Sequence, residues 1–204
     1  MSTGLTGHLE TERKYDAGPD FVMPDLSAVP GVARVTEPEL DQLSATYFDT
    51  DGLRLMANRV TLRRRTGGSD EGWHLKLPVR PGTRRELHVP LSEGTDTVPP
   101  RLAGMVADIT EGRPLRPVAR LETARTVRRL IGPGGDVLAE VADDAVTGRR
   151  LVQPGESPLR WREVEVEIVS GQPGLLDTVG RLLQEAGARP SPSASKLGRV
   201  LGTS

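Results

Sequence analysis

The segment LETERKY, near the start of the printed sequence, places Glu10, Glu12 and Lys14 at alternate positions. Side chains at alternate positions lie on the same face of a β-strand, so two carboxylates and an ammonium would point to one side. Carboxylate oxygens hold divalent cations, and an ammonium attracts an anion as a compact point charge. The segment therefore predicts either a charged face in solvent or one wall of a site that binds ions of both signs.

Lysine is rare in this chain. Of the 27 basic residues, 24 are arginine, and the lysines are Lys14, Lys76 and Lys196. The excess of arginine, glycine and proline indicates a base-composition bias that supplies arginine wherever a generic positive charge is sufficient. A planar guanidinium does not replace the compact ammonium of lysine. The three lysines are therefore candidate site residues.

Most of the candidate residues fall in short segments of strand-like alternation, bounded by Gly, Pro or Asp. The predicted strands cover 7–15, 60–66, 72–78, 84–90, 118–130, 137–144 and 161–169, with a weaker strand near 44–48. Helical spacing of apolar residues occurs in PPRLAGMVADI and PGLLDTVGRLLQEAGA, and a shorter helix is predicted in DGLRLMANR. The pattern indicates a mainly β protein of the α+β class.

Six of these strands combine an apolar face with a face of ionisable residues, some of them alike in charge, such as Arg63 with Arg65 and Glu163 with Glu165. One such strand alone is explained by a sheet with its polar side in water. Aligned like charges destabilise a sheet, however, so the whole set requires compensation. A closed antiparallel barrel of eight strands provides it, because charged faces of both signs meet inside and helices pack on the apolar outside. Such an interior predicts a polyanion held together with divalent metals.

Composition narrows the classes of protein. Hydrophobic residues make up 36% and aromatic residues 3% of the 204 residues, which suits a fold with a partly polar interior. The net charge of -1 gives no overall attraction to nucleic acid or anionic membranes, and the absence of cysteine excludes disulfides. No apolar run approaches the roughly 20 residues that span a bilayer, and the N-terminus does not resemble a signal peptide. We expect one cytoplasmic domain over 1–204, with neither nucleic-acid nor membrane partners.

Several motifs together resemble those of the CYTH domain, the family of triphosphate tunnel metalloenzymes. LETERKY resembles the family's Glu-x-Glu-x-Lys strand, and the later matching segments are ATYFDTDGLRL, VTLRRR, GWHLKLP, RREL, WREVEVEI and SASKLGRVL. They occur in the family's order and cover about 7–200. The resemblance implies an eight-stranded antiparallel β-barrel that forms a tunnel, with Mg²⁺ or Mn²⁺ as cofactor.

The resemblance also implies roles for individual residues. The metal ligands would be Glu10, Glu12, Asp144, Glu163 and Glu165. At the aspartate position the adjacent Asp143 stays an alternative, because a shift of one residue would exchange the two. The phosphate-binding cations would be Lys14, Arg63, Arg65, Lys76, Arg84, Arg125 and Lys196. The catalytic residues would be Glu10, Glu12, Lys14 and Lys76.

The chemistry expected from the resemblance is hydrolysis of a triphosphate. Carboxylates two residues apart on a strand are separated by about 7 Å, so two metals could lie along one substrate. Phosphoryl transfer depends mainly on positioning and charge stabilisation, and a second metal lowers the pKa of an attacking water. Inorganic tripolyphosphate is the favoured substrate, with nucleoside or thiamine triphosphate as further candidates.

Two other functions stay open. A class IV-type adenylate cyclase would use a similar tunnel but needs a purine pocket, and this chain has few aromatic residues to form one. A non-catalytic module could instead bind inorganic polyphosphate. Bacterial relatives of this family are often joined to a helical domain associated with polyphosphate, so the chain could belong to a longer parent protein.

Overall fold

The computed structural model describes residues 5–91, 97–152 and 157–202. Its strands are β1 (Thr6–Ala17), β2 (Arg34–Val35), β3 (Glu39–Asp49), β4 (Thr61–Thr66), β5 (Gly72–Arg80), β6 (Thr83–Val89), β7 (Arg116–Ile131), β8 (Val137–Arg150), β9 (Leu159–Ile168) and β10 (Arg189–Pro190). Its helices are α1 (Arg54–Ala57), α2 (Pro100–Met105), α3 (Ala107–Thr110), α4 (Gly174–Glu185) and α5 (Lys196–Leu201). None of the helices in these ranges has the length and apolar character needed to cross a membrane.

Eight of the strands form a closed antiparallel barrel. Hydrogen-bonded neighbours follow the order β1, β6, β5, β4, β3, β7, β8 and β9, and β9 pairs again with β1 to close the ring. The short strands β2 and β10 pair with β7 and β1 respectively. Closure leaves no free edge in the ring, and it confirms the eight-stranded barrel predicted from the alternation of charged and apolar residues.

The outside of the barrel is apolar where helices cover it. Helix α4 packs Leu176, Val179 and Leu183 into a cluster with the outward side chains of β1, β8 and β9. Helices α2 and α3 cover the outward faces of β4 and β5, around the fully buried Trp73. Removing these side chains from water is the main stabilising contribution to this contact, at about 25 cal/mol per Å² of apolar surface. The predicted packing of helices on the outer surface is confirmed here.

The two ends of the barrel are built differently. At the end we call upper, the turn 67–71 joins β4 to β5. At the lower end, Leu197 of α5 packs against inward-facing side chains of the barrel, including Val146 of β8. The hydroxyl of Ser195 accepts a hydrogen bond from a backbone N–H in the first turn of α5 at 3.0 Å, which fixes where the helix starts. Apolar side chains therefore fill the lower end, and Lys196 is held on the side that faces the interior.

Some elements differ from the predicted ones. Strand β3 is 11 residues long, because its pairing with β7 extends well beyond the weak strand predicted near 44–48. The segment PPRLAGMVADI forms two short helices rather than one, since the backbone φ of -114° at Val106 interrupts the helical conformation. Helix α5 lies outside the predicted helices, although Leu197, Val200 and Leu201 show helical spacing.

Candidate active site

The barrel interior contains a cavity of about 110 Å³ that is lined mainly by ionisable side chains. All eight barrel strands and the start of α5 contribute to it. The lining residues are Glu10, Lys14, Tyr47, Thr61, Arg63, Arg65, Asp70, Lys76, Arg84, Glu86, Arg125, Glu140, Glu165, Glu167, Ser195 and Lys196. The three lysines of the chain, which occur far apart in the sequence, are therefore brought into one cavity.

Three carboxylates from β8 and β9 form a compact group, which we call the acidic group: Asp144, Glu163 and Glu165. Each offers an oxygen that lies within 4.8 Å of the others, because Asp144 pairs with Glu163 across the ladder and Glu165 follows on the same face. The ammonium of Lys196 lies 2.9 Å from Asp144 and 2.7 Å from each glutamate. Three carboxylate oxygens at this spacing are hard ligands of the kind that Mg²⁺ and Mn²⁺ prefer, so the acidic group could hold such a cation.

Strand register determines which of two adjacent aspartates faces the interior. Asp144 is fully buried and accepts two hydrogen bonds from Arg125, at 2.7 and 2.6 Å. Asp143 points to the outer side, where Arg162 donates to it at 2.9 and 2.8 Å. Burial opposes ionisation of Asp144, but the charges of Lys196 and Arg125 lower its pKa below the ordinary value. The structure therefore places Asp144 at the interior position.

The motif on β1 forms a second charged wall. Glu10 accepts a hydrogen bond from Lys76 at 2.6 Å, and a carboxylate oxygen of Glu12 lies 3.1 Å from the ammonium of Lys14. Lys14 also contacts Glu165 on the neighbouring strand β9, so it links this wall to the acidic group. Burial opposes ionisation of Glu12, but the nearby Lys14 lowers its pKa to about 2. Glu12 is therefore ionised at neutral pH.

The walls formed by β1 and β9 carry more negative charge than their own cations neutralise. One carboxylate oxygen of Glu10 is buried without a hydrogen-bond partner. Glu167 lies opposite Glu12 in the ladder, and burial together with the charge of Glu10 raises its pKa to about 8. A cation bound here would relieve both effects, because it would stabilise the ionised carboxylates.

Two arginines on the inward face of β4 provide the opposite charge. The Nε atoms of Arg63 and Arg65 are both buried without a hydrogen-bond partner. Arg63 donates to the hydroxyl of Tyr47 at 3.4 Å. Burial and the positive charge of Arg63 lower the pKa of Arg65 to about 9. Guanidinium groups with buried, unused donors fit a polyanion, since phosphate oxygens could satisfy several donors at once.

The other predicted cations also lie in the cavity, but they contact carboxylates. Arg84 contacts Glu12, and Arg125 bridges Asp144 and Glu165, the latter at 2.8 Å. Every predicted site residue lines the cavity or contacts a residue that does. Their roles in binding and catalysis stay predictions.

Sequence reasoning assigned no role to several residues that the structure brings into the cavity. A carboxylate oxygen of Glu86 lies 2.7 Å from Nδ1 of His74, and the other lies 3.5 Å from the ammonium of Lys76. The alternation in β5 and β6 places His74 and Glu86 on the charged faces, and this pattern is the sequence signal that indicates both residues. Asp70 lies in a turn, where alternation carries no information, and Tyr47 lies on the strand that the pattern predicted weakly.

The closed barrel, whose central cavity is lined by side chains of both charges, defines this chain as a β-barrel protein with a charged interior. Residues 8–200 match the CYTH domain, and the chain belongs to this family. The family is associated with triphosphatase and cyclase activities and with divalent metals. The relative named uncharacterized protein Rv2226, from Mycobacterium tuberculosis strain H37Rv, is 43% identical over 207 residues, which cover 96% of this chain. The chain spans about 40% of the length of the curated relatives it matches.

Two solved structures share the fold. A Bacillus halodurans protein, proposed to be an adenylate cyclase, has a TM-score of 0.63 at 18% identity and covers 95% of this chain and 97% of its own. HpAC1 from Hippeastrum, a proposed adenylyl cyclase described as revealing a dominant triphosphatase activity, has a TM-score of 0.54 at 16% identity, with 95% of each chain covered. At these identities the likeness shows the fold alone.

Proposed function

We propose that this chain is a divalent-metal-dependent triphosphatase and that inorganic tripolyphosphate is its favoured substrate. One observation carries the proposal: a single cavity brings a compact acidic group together with two arginines whose Nε donors are buried and unused. The acids suit a divalent cation and the arginines suit a polyanion. A triphosphate bound with its metal requires both carboxylates for the cation and donors for the phosphate oxygens.

Different residues of the cavity would bind the phosphates and the metal. Arg63 and Arg65 would donate to phosphate oxygens, while Lys14 and Lys76 would act as compact point charges. Mg²⁺ or Mn²⁺, held by the acidic group with Glu10 and Glu12 as further ligands, would neutralise phosphate oxygens and lower the pKa of the attacking water. Phosphoryl transfer requires positioning and charge stabilisation above all, so no nucleophilic side chain is needed.

The lining of the cavity favours an inorganic substrate over a nucleotide. A purine is held by apolar or aromatic surface. Among the described lining residues, the aromatic one is Tyr47, which is only 4% exposed and so offers little surface for stacking. Thiamine and nucleoside triphosphates are therefore secondary candidates.

Two alternatives have support of their own. Cyclisation of ATP is suggested by the proposed cyclases that share the fold. Non-catalytic binding of inorganic polyphosphate is suggested by the greater length of the relatives, in which a helical polyphosphate-associated domain could adjoin this one. In that case the chain would work as part of a longer protein.

One assay separates these functions. The protein is incubated with tripolyphosphate, ATP, thiamine triphosphate or long-chain polyphosphate, in Mg²⁺, in Mn²⁺ or in EDTA, and phosphate, cyclic AMP and binding are followed. Metal-dependent phosphate release that is fastest with tripolyphosphate is the expected result. Cyclic AMP from ATP would favour the cyclase, and polyphosphate binding without turnover would favour the binding module.

Matched variants connect the activity to the cavity. Glu163→Gln and Glu10→Gln should each lower metal-dependent turnover by about 100-fold or more, since each removes a charge from the cation site. Glu122→Gln makes the same change on the exposed outer face of β7, where Glu122 contacts Arg120 and Ser44, and should leave turnover unchanged. Near-normal turnover in both cavity variants would contradict the proposed site.

A further inference from the structure

The turn 67–71 brings a carboxylate into the upper end of the cavity. Asp70 lies in this turn, and its side chain contacts the guanidinium of Arg65. The two partners differ in exposure, because the side chain of Arg65 is 5% exposed and that of Asp70 is 58% exposed. The contact therefore joins a fixed, buried cation to an anion that reaches it from the solvent side.

The backbone of the turn is held in place independently of this carboxylate. His74 and His88 lie on the inward faces of β5 and β6, and their Nε2 atoms hydrogen-bond the carbonyl oxygens of Asp70 at 2.9 Å and Glu71 at 3.0 Å. The turn also passes close to β3, since a Cβ at Gly67 would lie 2.1 Å from a backbone oxygen there. Asp70 is thus positioned by the fold, and only its side chain needs to move for the contact to break.

The surroundings of Arg65 favour an anion beside its guanidinium, because its buried Nε has no hydrogen-bond partner. Burial and the charges of Arg63 and Arg125 all disfavour its charged form. The nearby carboxylate of Glu86 already lies 2.7 Å from Nδ1 of His74 and 3.5 Å from the ammonium of Lys76. The carboxylate of Asp70 therefore forms the ion pair with this guanidinium that a phosphate oxygen would otherwise form.

We propose that Asp70 is a built-in competitor for the phosphate of the substrate. The carboxylate of Asp70 pairs with Arg65 until an incoming phosphate displaces it. Asp70 thereby sets the affinity of the cavity for any anion that binds this arginine. Displacement costs little on the Asp70 side, because a half-exposed carboxylate that rotates into water regains its hydration. This inference rests on the proposed function for the identity of the natural ligand, but its physical basis requires only an anion.

The test compares two neighbouring carboxylates of the same turn. Asp70→Asn removes the competing charge, whereas Glu71→Gln makes the same change on an exposed side chain one residue away. Dissociation constants for tripolyphosphate and for inorganic phosphate are measured by calorimetry in EDTA, which prevents metal-dependent turnover. We expect Asp70→Asn to bind both anions about three- to tenfold more tightly than wild type, and Glu71→Gln to bind them as wild type does.

The double variant Arg65→Gln/Asp70→Asn supplies the second readout. The gain from Asp70→Asn should disappear when Arg65→Gln is the background, because the competition acts through that guanidinium. Weaker binding of both anions in Asp70→Asn would overturn the inference and would assign Asp70 to positioning Arg65, and unchanged binding would overturn the inference as well. If wild type binds phosphate but neither binds nor hydrolyses tripolyphosphate, the proposed function fails while the comparison of the two variants still decides the role of Asp70. Binding of neither anion by wild type or by Asp70→Asn would overturn the inference, whereas the proposed function is decided separately by phosphate release in Mg²⁺ or Mn²⁺.

Discussion

The ammonium of Lys196 lies 2.7 Å from a carboxylate oxygen of Glu163, although the two residues belong to elements that meet only at the lower end of the barrel. Burial opposes the charge on Lys196, but Asp144 and Glu165 raise its pKa above the ordinary value. The ammonium therefore neutralises part of the acidic group from inside the cavity. A bound metal would share the same carboxylates with it.

The first prediction concerns this shared position. In EDTA, Lys196→Met should lower the free energy of unfolding by about 3 kcal/mol, because it leaves buried carboxylates without a partner. Mg²⁺ or Mn²⁺ should restore more stability to the variant than it adds to wild type, as measured by urea denaturation with and without metal. Arg181→Met, on an exposed position of α4, is the control. Equal stabilisation of both proteins by metal would show that the cation binds elsewhere.

The second prediction separates charge from shape at Lys14. Lys14→Arg keeps the charge, but the larger planar group must fit between Glu12 and Glu165. The kcat/KM for tripolyphosphate should fall by about 10- to 100-fold while the melting temperature changes little. The matched control is Arg13→Lys, on the outer face of the same strand, where Arg13 pairs with Asp177. Full activity in Lys14→Arg would mean that the position requires only a positive charge.

The third prediction concerns acid sensitivity. The folded-state pKa of Glu12 is about 2, below its ordinary value of 4.5, so its contribution to stability is present above pH 4.5 and is lost as the pH falls from 4.5 toward 2. The shift corresponds to about 3 kcal/mol. Urea denaturation in EDTA across this range should show a shallower loss of stability in Glu12→Gln than in wild type. Parallel curves for the two proteins would count against a depressed pKa at Glu12.

The fourth prediction tests how α4 rests on the barrel. A Cβ at Gly180 would lie 2.0 Å from the hydroxyl oxygen of the buried Tyr15, so Gly180→Ala should destabilise the protein by about 2 to 3 kcal/mol. Gly174→Ala, in the first turn of the same helix where a Cβ meets no atom within 4 Å, should be neutral or stabilising by up to about 1 kcal/mol. Thermal unfolding measures both. Tyr15→Phe should restore part of the stability lost in Gly180→Ala, and a harmless Gly180→Ala would contradict the close approach of helix and strand.

Much of the barrel could be predicted because alternation is a local property of the sequence. The inward faces of β1, β4 and β9 follow directly from residues such as Glu10, Arg63 and Glu165, each at a fixed parity along its strand. Parity does not give the pairing between distant strands. The choice between Asp143 and Asp144 therefore required the observed register of β8 and β9.

Other parts of the site depend on tertiary structure in ways that no sequence pattern reveals. The contact of Arg65 with Asp70 depends on how the turn 67–71 folds over the upper end of the barrel. The placement of Lys196 depends on α5, whose six residues are too few to form a stable helix without packing on the barrel. In both cases the chemistry of the residue is visible in the sequence, whereas its partner is not.

Closure of the ring by β1 and β9 has a consequence for the order of folding. Glu12 and Glu167 are directly opposite in this pair, although 155 positions separate them along the chain. Such non-local pairing is entropically costly and slow to form. A ribosome-bound chain can therefore assemble the part of the sheet from β3 to β8 while β1 is not yet paired with β9. The charged wall on β1 then meets the acidic group only in the closing step, and the completed cavity is a late product of folding.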